Sequence, residues 1–190
     1  MNSLTTMSTF IALIRGQLFR LICRLFRKNI AIGKDLRLYC RLSIKGKGRV
    51  SIGDHCIIRG IPGSPTQYVT LWTTAPEATL SIGNSVQLNA TKISCRFLIS
   101  IGDNVIIEDA SIMDTDFHSL DISRCSPPNE SKGKCAIRIG NNVGISSRSI
   151  ITKGVTLGDG CLVAPSSLVQ HSFPAGSTVL GNPAKKIADD

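Results

Sequence analysis

Few side chains in this 190-residue sequence are equipped for chemistry, and their spacing excludes more than it offers. The three histidines, His55, His118 and His171, are far apart. None stands at the short spacing that lets two imidazoles share a metal. The seven cysteines form no C-x-x-C pair and no zinc-ligand pattern, so no metal site is expected. Cys125 and Cys135 bracket a polar stretch and can pair only in an oxidising compartment. With no secretion signal ahead of them, reduced thiols and a cytoplasmic location are the expectation. One cluster remains, Asp114-Thr-Asp-Phe-His118. A neutral imidazole can take a proton, and a carboxylate beside it can orient the ring. A histidine at a corner is, by itself, more often a surface residue, so what surrounds the cluster decides its meaning.

The surroundings have a period of six. Lead aliphatics run without a break as Ile139, Ile145, Ile151, Leu157, Val163 and Val169. Four residues after the first five come Val143, Ser149, Val155, Cys161 and Ser167. Earlier traces are Ile32, Leu38 and Ile44, then Ile52 and Ile58, then Ile82 and Leu88, then Ile101, Ile107 and Met113. Amphipathic helices space apolar residues by three and four, and lone strands by two. Six, with Gly, Asn and Asp in fixed places, predicts short strands joined by tight corners, stacked into an all-β parallel β-helix. The lead aliphatics point inward, the small residues fit the vertex, and Gly, Asn and Asp are expected to supply the positive φ of the corners. The low aromatic content suits a narrow core of Ile, Val and Leu.

Three segments break the rhythm: a loop at 61–79 with the only Trp, Trp72; a polar loop at 121–135; and a tail at 181–190. The repeat body is thus expected over 30–180. Residues 1–29 read differently, as an amphipathic helix. Arg20, Arg24, Arg27 and Lys28 share one face, and Ile11, Ile14, Leu18, Leu21, Ile22 and Leu25 cover the other. Arginines interrupt it too often for a bilayer span. Peripheral membrane association through residues 9–28 and capping of the solenoid end are both open, and they are compatible. The net charge of +9 has one source: residues 1–50 carry +10 and the rest −1. A basic stripe interleaved with aromatics is missing, so nucleic acid is excluded as a partner.

Several stretches carry a family resemblance: Ile101-Gly-Asp-Asn-Val-Ile-Ile-Glu with Asp114-Thr-Asp-Phe-His118, Ile139-Gly-Asn-Asn-Val, Gly154-Val-Thr-Leu-Gly-Asp-Gly160 and Gly181-Asn-Pro-Ala184. Together they resemble the hexapeptide-repeat O-acetyltransferases, in particular the galactoside and maltose enzymes and those of surface-polysaccharide biosynthesis. The resemblance covers about residues 30–190. It implies a left-handed coil, a homotrimer and acetyl-CoA as co-substrate. It further implies acetylation of a sugar hydroxyl on a cell-surface polysaccharide or its precursor by direct attack on the thioester, and the N-terminal helix suggests a lipid-linked or membrane-proximal acceptor. On the same ground His118 is the general base, with Asp116 or Asp114 orienting it. The Ser147 N–H stabilises the oxyanion, Asn89 and Asp114 face the acceptor, and Lys185 and Lys186 lie near the nucleotide phosphates.

Two departures bear on the donor site. Relatives commonly read Val-Trp-Ile-Gly where this chain has Val143-Gly-Ile-Ser146, which removes an aromatic wall. They read Ile-Gly-Ala-Gly-Ser where it has Val163-Ala-Pro-Ser-Ser167, and Pro165 has no N–H to offer. Trp72 is a candidate replacement for the lost aromatic. A γ-type carbonic anhydrase on the same coil needs histidines at metal-pair spacing, which are lacking. Sugar-nucleotide N-acetylation and a non-catalytic scaffold stay open as alternatives.

Overall fold

The computed structural model describes residues 3–61, 68–116 and 131–187. Its strands form three sheets, and each turn of the chain adds one strand to each in order. The first sheet takes Ile30–Ile32, Arg49–Ile52, Thr79–Ile82, Leu98–Ile101, Ile137–Ile139 and Thr156–Leu157. The second takes Arg37–Leu38, Ile57–Arg59, Gln87–Asn89, Ile106–Glu108, Gly144–Ile145, Leu162–Val163, Thr178–Gly181 and Ala184–Lys186. The third takes Leu42–Lys45, Val69–Thr73, Lys92–Cys95, Ser111–Met113, Ile150–Ile151 and Leu168–Val169. Six coils result, with a partial seventh opened by Phe173 beside Leu157. All pairings are parallel except the last, where Ala184–Lys186 runs back along Thr178–Gly181.

The inward residues stack in register from coil to coil. Leu38, Ile58, Leu88, Ile107, Ile145, Val163 and Val179 form one ladder. Ile44, Leu71, Ile93, Ile112, Ile151 and Val169 form another. Ile32, Ile52, Ile82, Ile101, Ile139 and Leu157 form the third. Burying each such side chain contributes about 1.5–3 kcal/mol, and only the neighbouring coils can bury it. The small vertex residues Val143, Ser149, Val155, Cys161 and Ser167 are all buried.

The corners meet the sequence expectation in part: positive φ falls on Asp35, Asn104, Asn142 and Gly160, but not on the glycines that follow the lead aliphatics. The glycines after the lead aliphatics, such as Gly53, Gly83, Gly102 and Gly140, are required by close approach and not by positive φ. A Cβ on Gly83 would come within 2.4 Å of Asp103 Oδ1 and 2.5 Å of the Gly102 carbonyl. Positive φ falls two residues later, at Asp35, His55, Ser85, Asn104 and Asn142. The residue in between carries a ladder of its own. Asp54, Asn84, Asp103, Asn141 and Asp159 each accept, through Oδ1, the backbone N–H one coil earlier, at 2.6–2.9 Å.

The structure departs from the expected elements at four places. The expected 61–79 loop is interrupted by the strand Val69–Thr73, because Val69 and Leu71 are inward-facing residues in register with the third ladder. Met113 is not a lead residue; Ile112 is, since the corner before it is one residue short. The 181–190 tail contains the strand Ala184–Lys186, and the polar 121–135 segment ends in a short helix, α2 (Lys132–Cys135). At the other end α1 (Ser3–Phe26) packs across the first coil, burying Ala12 and Cys23. No described helix is long and apolar enough to cross a membrane.

Candidate active site

The expected site residues fall at two different corners. Asn89 and Ser147 occupy the corner between the second and third sheets, in coils three and five. Lys185 and Lys186 lie further along the second sheet, on its last strand. Asp114 and Asp116 follow the third-sheet strand of coil four, at the corner leading back to the first sheet. Six residues of extended backbone, up to about 20 Å, separate Ser147 from the Asp116 corner. His118 lies outside the described residues, as does Cys125.

Ser147 exists because its corner is wider than those of coils three and four. From second ladder to third, Leu88 to Ile93 and Ile107 to Ile112 take five residues; Ile145 to Ile151 and Val163 to Val169 take six. The hydrogen-bond register slips at this step. The Arg148 N–H donates to the carbonyl of Asp109, itself at positive φ, whereas Ser166 N–H donates to Ser147, the residue before the positive-φ Arg148. Ser146 N–H donates to Val163 O at 3.0 Å, and Arg148 N–H is used at 3.0 Å. Among the described residues no acceptor takes the Ser147 N–H, and Ser147 is half-buried. An unengaged amide at a partly exposed corner is a donor available to an oxyanion.

Around it the outer surface of the second sheet is shallow. Gly144, Ser146 and Ala164 are small, and Ile106 and Leu162 stand exposed on either side of Gly144. A Cβ at Gly144 would meet only Leu162 Cδ2, at 3.0 Å. Trp72 does not fill this space, since it stands on the third sheet three coils away. Pro165 stacks one coil beyond Ser147, so the next amide in the column is missing. Below Ser146 the same outer column holds exposed Glu108 and half-buried Asn89, whose Oδ1 accepts from Gln87 Nε2 at 3.4 Å.

At the second corner the two aspartates have different fates. Asp114 is fully buried. Its carboxylate accepts the backbone N–H groups of Arg96, Phe97 and Leu98 at 2.7, 2.8 and 2.9 Å. Asp114, expected at the acceptor, uses its oxygens to fasten the turn at 95–98. Cys95, whose thiol lies 3.6 Å from Asp114 Oδ2, is pushed up to about 12 by burial first and by that carboxylate second. Asp116 is only partly buried and forms an ion pair with Lys153, which reaches it from coil five. Lys153 was missed in the sequence because nothing at 153 marks a site until the stacking of 111–112 on 150–151 is known.

Cys56 and Cys161 occupy buried vertex positions. His55 is exposed at positive φ, 3.3 Å from Asp35, and His171 is exposed. Among the described residues no group of His, Cys, Asp or Glu could hold a metal ion.

No protein-family model matches the sequence. A probable acetyltransferase of Mycobacterium tuberculosis is 32% identical over 117 residues, 60% of this chain and 38% of that protein. The galactoside O-acetyltransferase of Escherichia coli is 30% identical over 93 residues, 49% of this chain and 45% of that protein. The chain thus spans less than half the length of these relatives. Among solved structures, the polySia-specific acetyltransferase NeuO aligns with a TM-score of 0.62 at 22% identity, covering 83% of this chain and 70% of that one. A galactoside acetyltransferase in complex with coenzyme A gives 0.53 at 18%, over 96% and 82%. An N-acyltransferase of Bacillus cereus, AntD, gives 0.56 at 21%, over 86% and 85%. The fold is the left-handed parallel β-helix of hexapeptide repeats, and in sequence the chain is similar to the acetyltransferases built on it.

Proposed function

We propose that this chain is an acetyl-CoA-dependent O-acetyltransferase acting on a sugar hydroxyl of a cell-surface polysaccharide or its precursor, at the cytoplasmic side of the membrane. The observation that carries the reading is the unengaged Ser147 N–H at the widened corner, beside a shallow column of small residues. An acetyl thioester laid along that column would place its carbonyl oxygen at the amide. The pantetheine arm would run past Gly144, Ser146 and Ala164 towards Lys185 and Lys186, about 14 Å away, three strand spacings beyond Ser147's coil. Two lysines there suit phosphate groups as point charges.

The chemistry is a single displacement. The acceptor hydroxyl oxygen attacks the thioester carbon while the His118 imidazole takes its proton. The carbonyl oxygen gains charge and is held by the Ser147 N–H. The C–S bond then breaks, and the departing thiolate takes the proton back from the imidazolium. Asp116, drawn by Lys153, is the carboxylate left to orient His118, because Asp114 is committed to backbone. Since the Ser147 and Asp116 corners are far apart within one chain, a working site takes one corner from each of two adjacent copies. A homotrimer supplies three such sites.

Calorimetric titration with acetyl-CoA, followed by transfer assays on glycan acceptors, tests this. Micromolar binding is expected in the wild type and in His118→Ala, with turnover of the variant lower by about 10²–10⁴. Well-folded protein that binds no acetyl-CoA, or a His118→Ala variant with normal turnover, would refute it. Amine acceptors run in parallel would reveal N-acetylation.

A further inference from the structure

The N-terminal helix packs in an unusual sense: its small residues, with Phe19 among them, face the protein, and most of its large apolar ones face out. Ala12, Gly16, Phe19 and Cys23, at helical spacing, lie against the first coil, and a Cβ on Gly16 would fall 1.7 Å from the Leu36 carbonyl oxygen. The helix is tied down along its length. Thr9 Oγ1 and the Tyr39 hydroxyl are 3.0 Å apart, and the Arg27 guanidinium donates to Ile44 O at 2.9 Å. All these partners belong to the first coil, so α1 lies across the open end of the stack. On the opposite side Phe10, Ile14, Leu18, Leu21, Ile22 and Leu25 are between 44% and 62% exposed.

Charge identifies what covers that side. No acidic residue occurs before Asp35. Arg20, Arg24, Arg27 and Lys28 flank the apolar surface, and with Ile30–Ile32 they line a groove of about 390 Å³. A second copy of the helix would bring arginine against arginine, which disfavours self-pairing. An anionic bilayer takes the apolar side chains below its headgroups and presents phosphates to the basic groove.

We infer that α1 docks flat on an anionic membrane and stands the β-helix upright on it. Ser147 and the Asp116–Lys153 pair, in coils four and five, are then held three to four strand spacings above the first coil, with the helix thickness beneath. That is about 25–30 Å from the apolar layer. Resting on the acetyltransferase reading, this selects the acceptor class: a membrane-tethered glycan several sugars long reaches the site, and a sugar linked directly to the lipid does not.

The test uses the full chain with vesicles of phosphatidylcholine alone and of phosphatidylcholine with phosphatidylglycerol. Binding is expected only to the anionic vesicles, and Leu18→Asp, an exposed position, should reduce the bound fraction about tenfold. Acetyl-CoA binding by Leu18→Asp should be unchanged, which separates this inference from the proposed activity. For orientation, Trp72 of the wild type should keep its fluorescence with brominated acyl chains, whereas Leu18→Trp in a Trp72→Phe background should be quenched. Absence of anionic binding, or self-association that Leu18→Asp abolishes, would overturn docking. Quenching of Trp72 would overturn the upright arrangement.

Discussion

Lys153 of the fifth coil pairs with Asp116 of the fourth, two residues before His118. Both side chains are about a third exposed or less, 34% and 26%, and a pair so placed adds at most about 1 kcal/mol to stability. Its effect is on charge. The ammonium offsets the carboxylate that would otherwise raise the proton affinity of His118. Lys153→Met should therefore move the acidic limb of the kcat/KM profile to higher pH by about half a unit to one unit, with little change in Tm. An unmoved profile would remove Asp116 from its positioning role.

Ser147 can be tested by the chain's own precedent. Pro165 occupies the equivalent place one coil on, followed like Ser147 by a residue at positive φ, Ser166. Ser147→Pro should thus keep the corner and remove only the N–H. Stability is expected to change by less than about 1 kcal/mol, and kcat to fall about 10²–10³-fold. Measuring both on one preparation checks the oxyanion assignment; a folded variant with wild-type kcat counts against it.

The glycine column predicts where substitution cannot be absorbed. At Gly83 the obstacles to a methyl group are the Asp103 carboxylate and the Gly102 backbone in the next coil, within 2.6 Å. Gly83→Ala should cost about 3 kcal/mol or more in urea unfolding, or prevent folding. At Gly144 the only neighbour is the end of Leu162, so Gly144→Ala should cost under about 1 kcal/mol.

Cys95 sets an alkaline limit. Its folded value, raised to about 12 against an ordinary 9.0, favours the neutral thiol in the native state. Stability from this group is complete below pH 9 and declines as pH rises towards 12. The loss is about 1.4 kcal/mol for each pH unit in that window. Urea midpoints between pH 8 and 11 should fall more steeply for wild type than for Cys95→Ala; parallel curves would deny the linkage.

The solenoid was legible because its ladders need one aliphatic per side per coil, and Ile139 to Val169 state that period without interruption. The reading failed where a corner changed length. Ile107 to Ile112 is one residue short, so counting by six landed on Met113. Val69–Thr73 was hidden by prolines on both sides of a regular strand. At the site, Asp114 and Asp116 look alike in sequence. Only burial separates the one that fastens the 95–98 turn from the one that faces Lys153. A residue's use of its carboxylate depends on the coil beneath it, and sequence spacing does not encode that.

The closing strand Ala184–Lys186 has a consequence for filament growth. A stack of parallel coils offers at each end an edge on which another coil, or another molecule, can add. Here α1 lies across one end, and at the other the chain doubles back so that the second sheet finishes antiparallel. On the second sheet, an edge that runs in the wrong direction cannot be copied by an incoming coil of the same sequence. Removing residues 182–190 would leave the Thr178–Gly181 edge bare, a parallel edge on which a further strand can add.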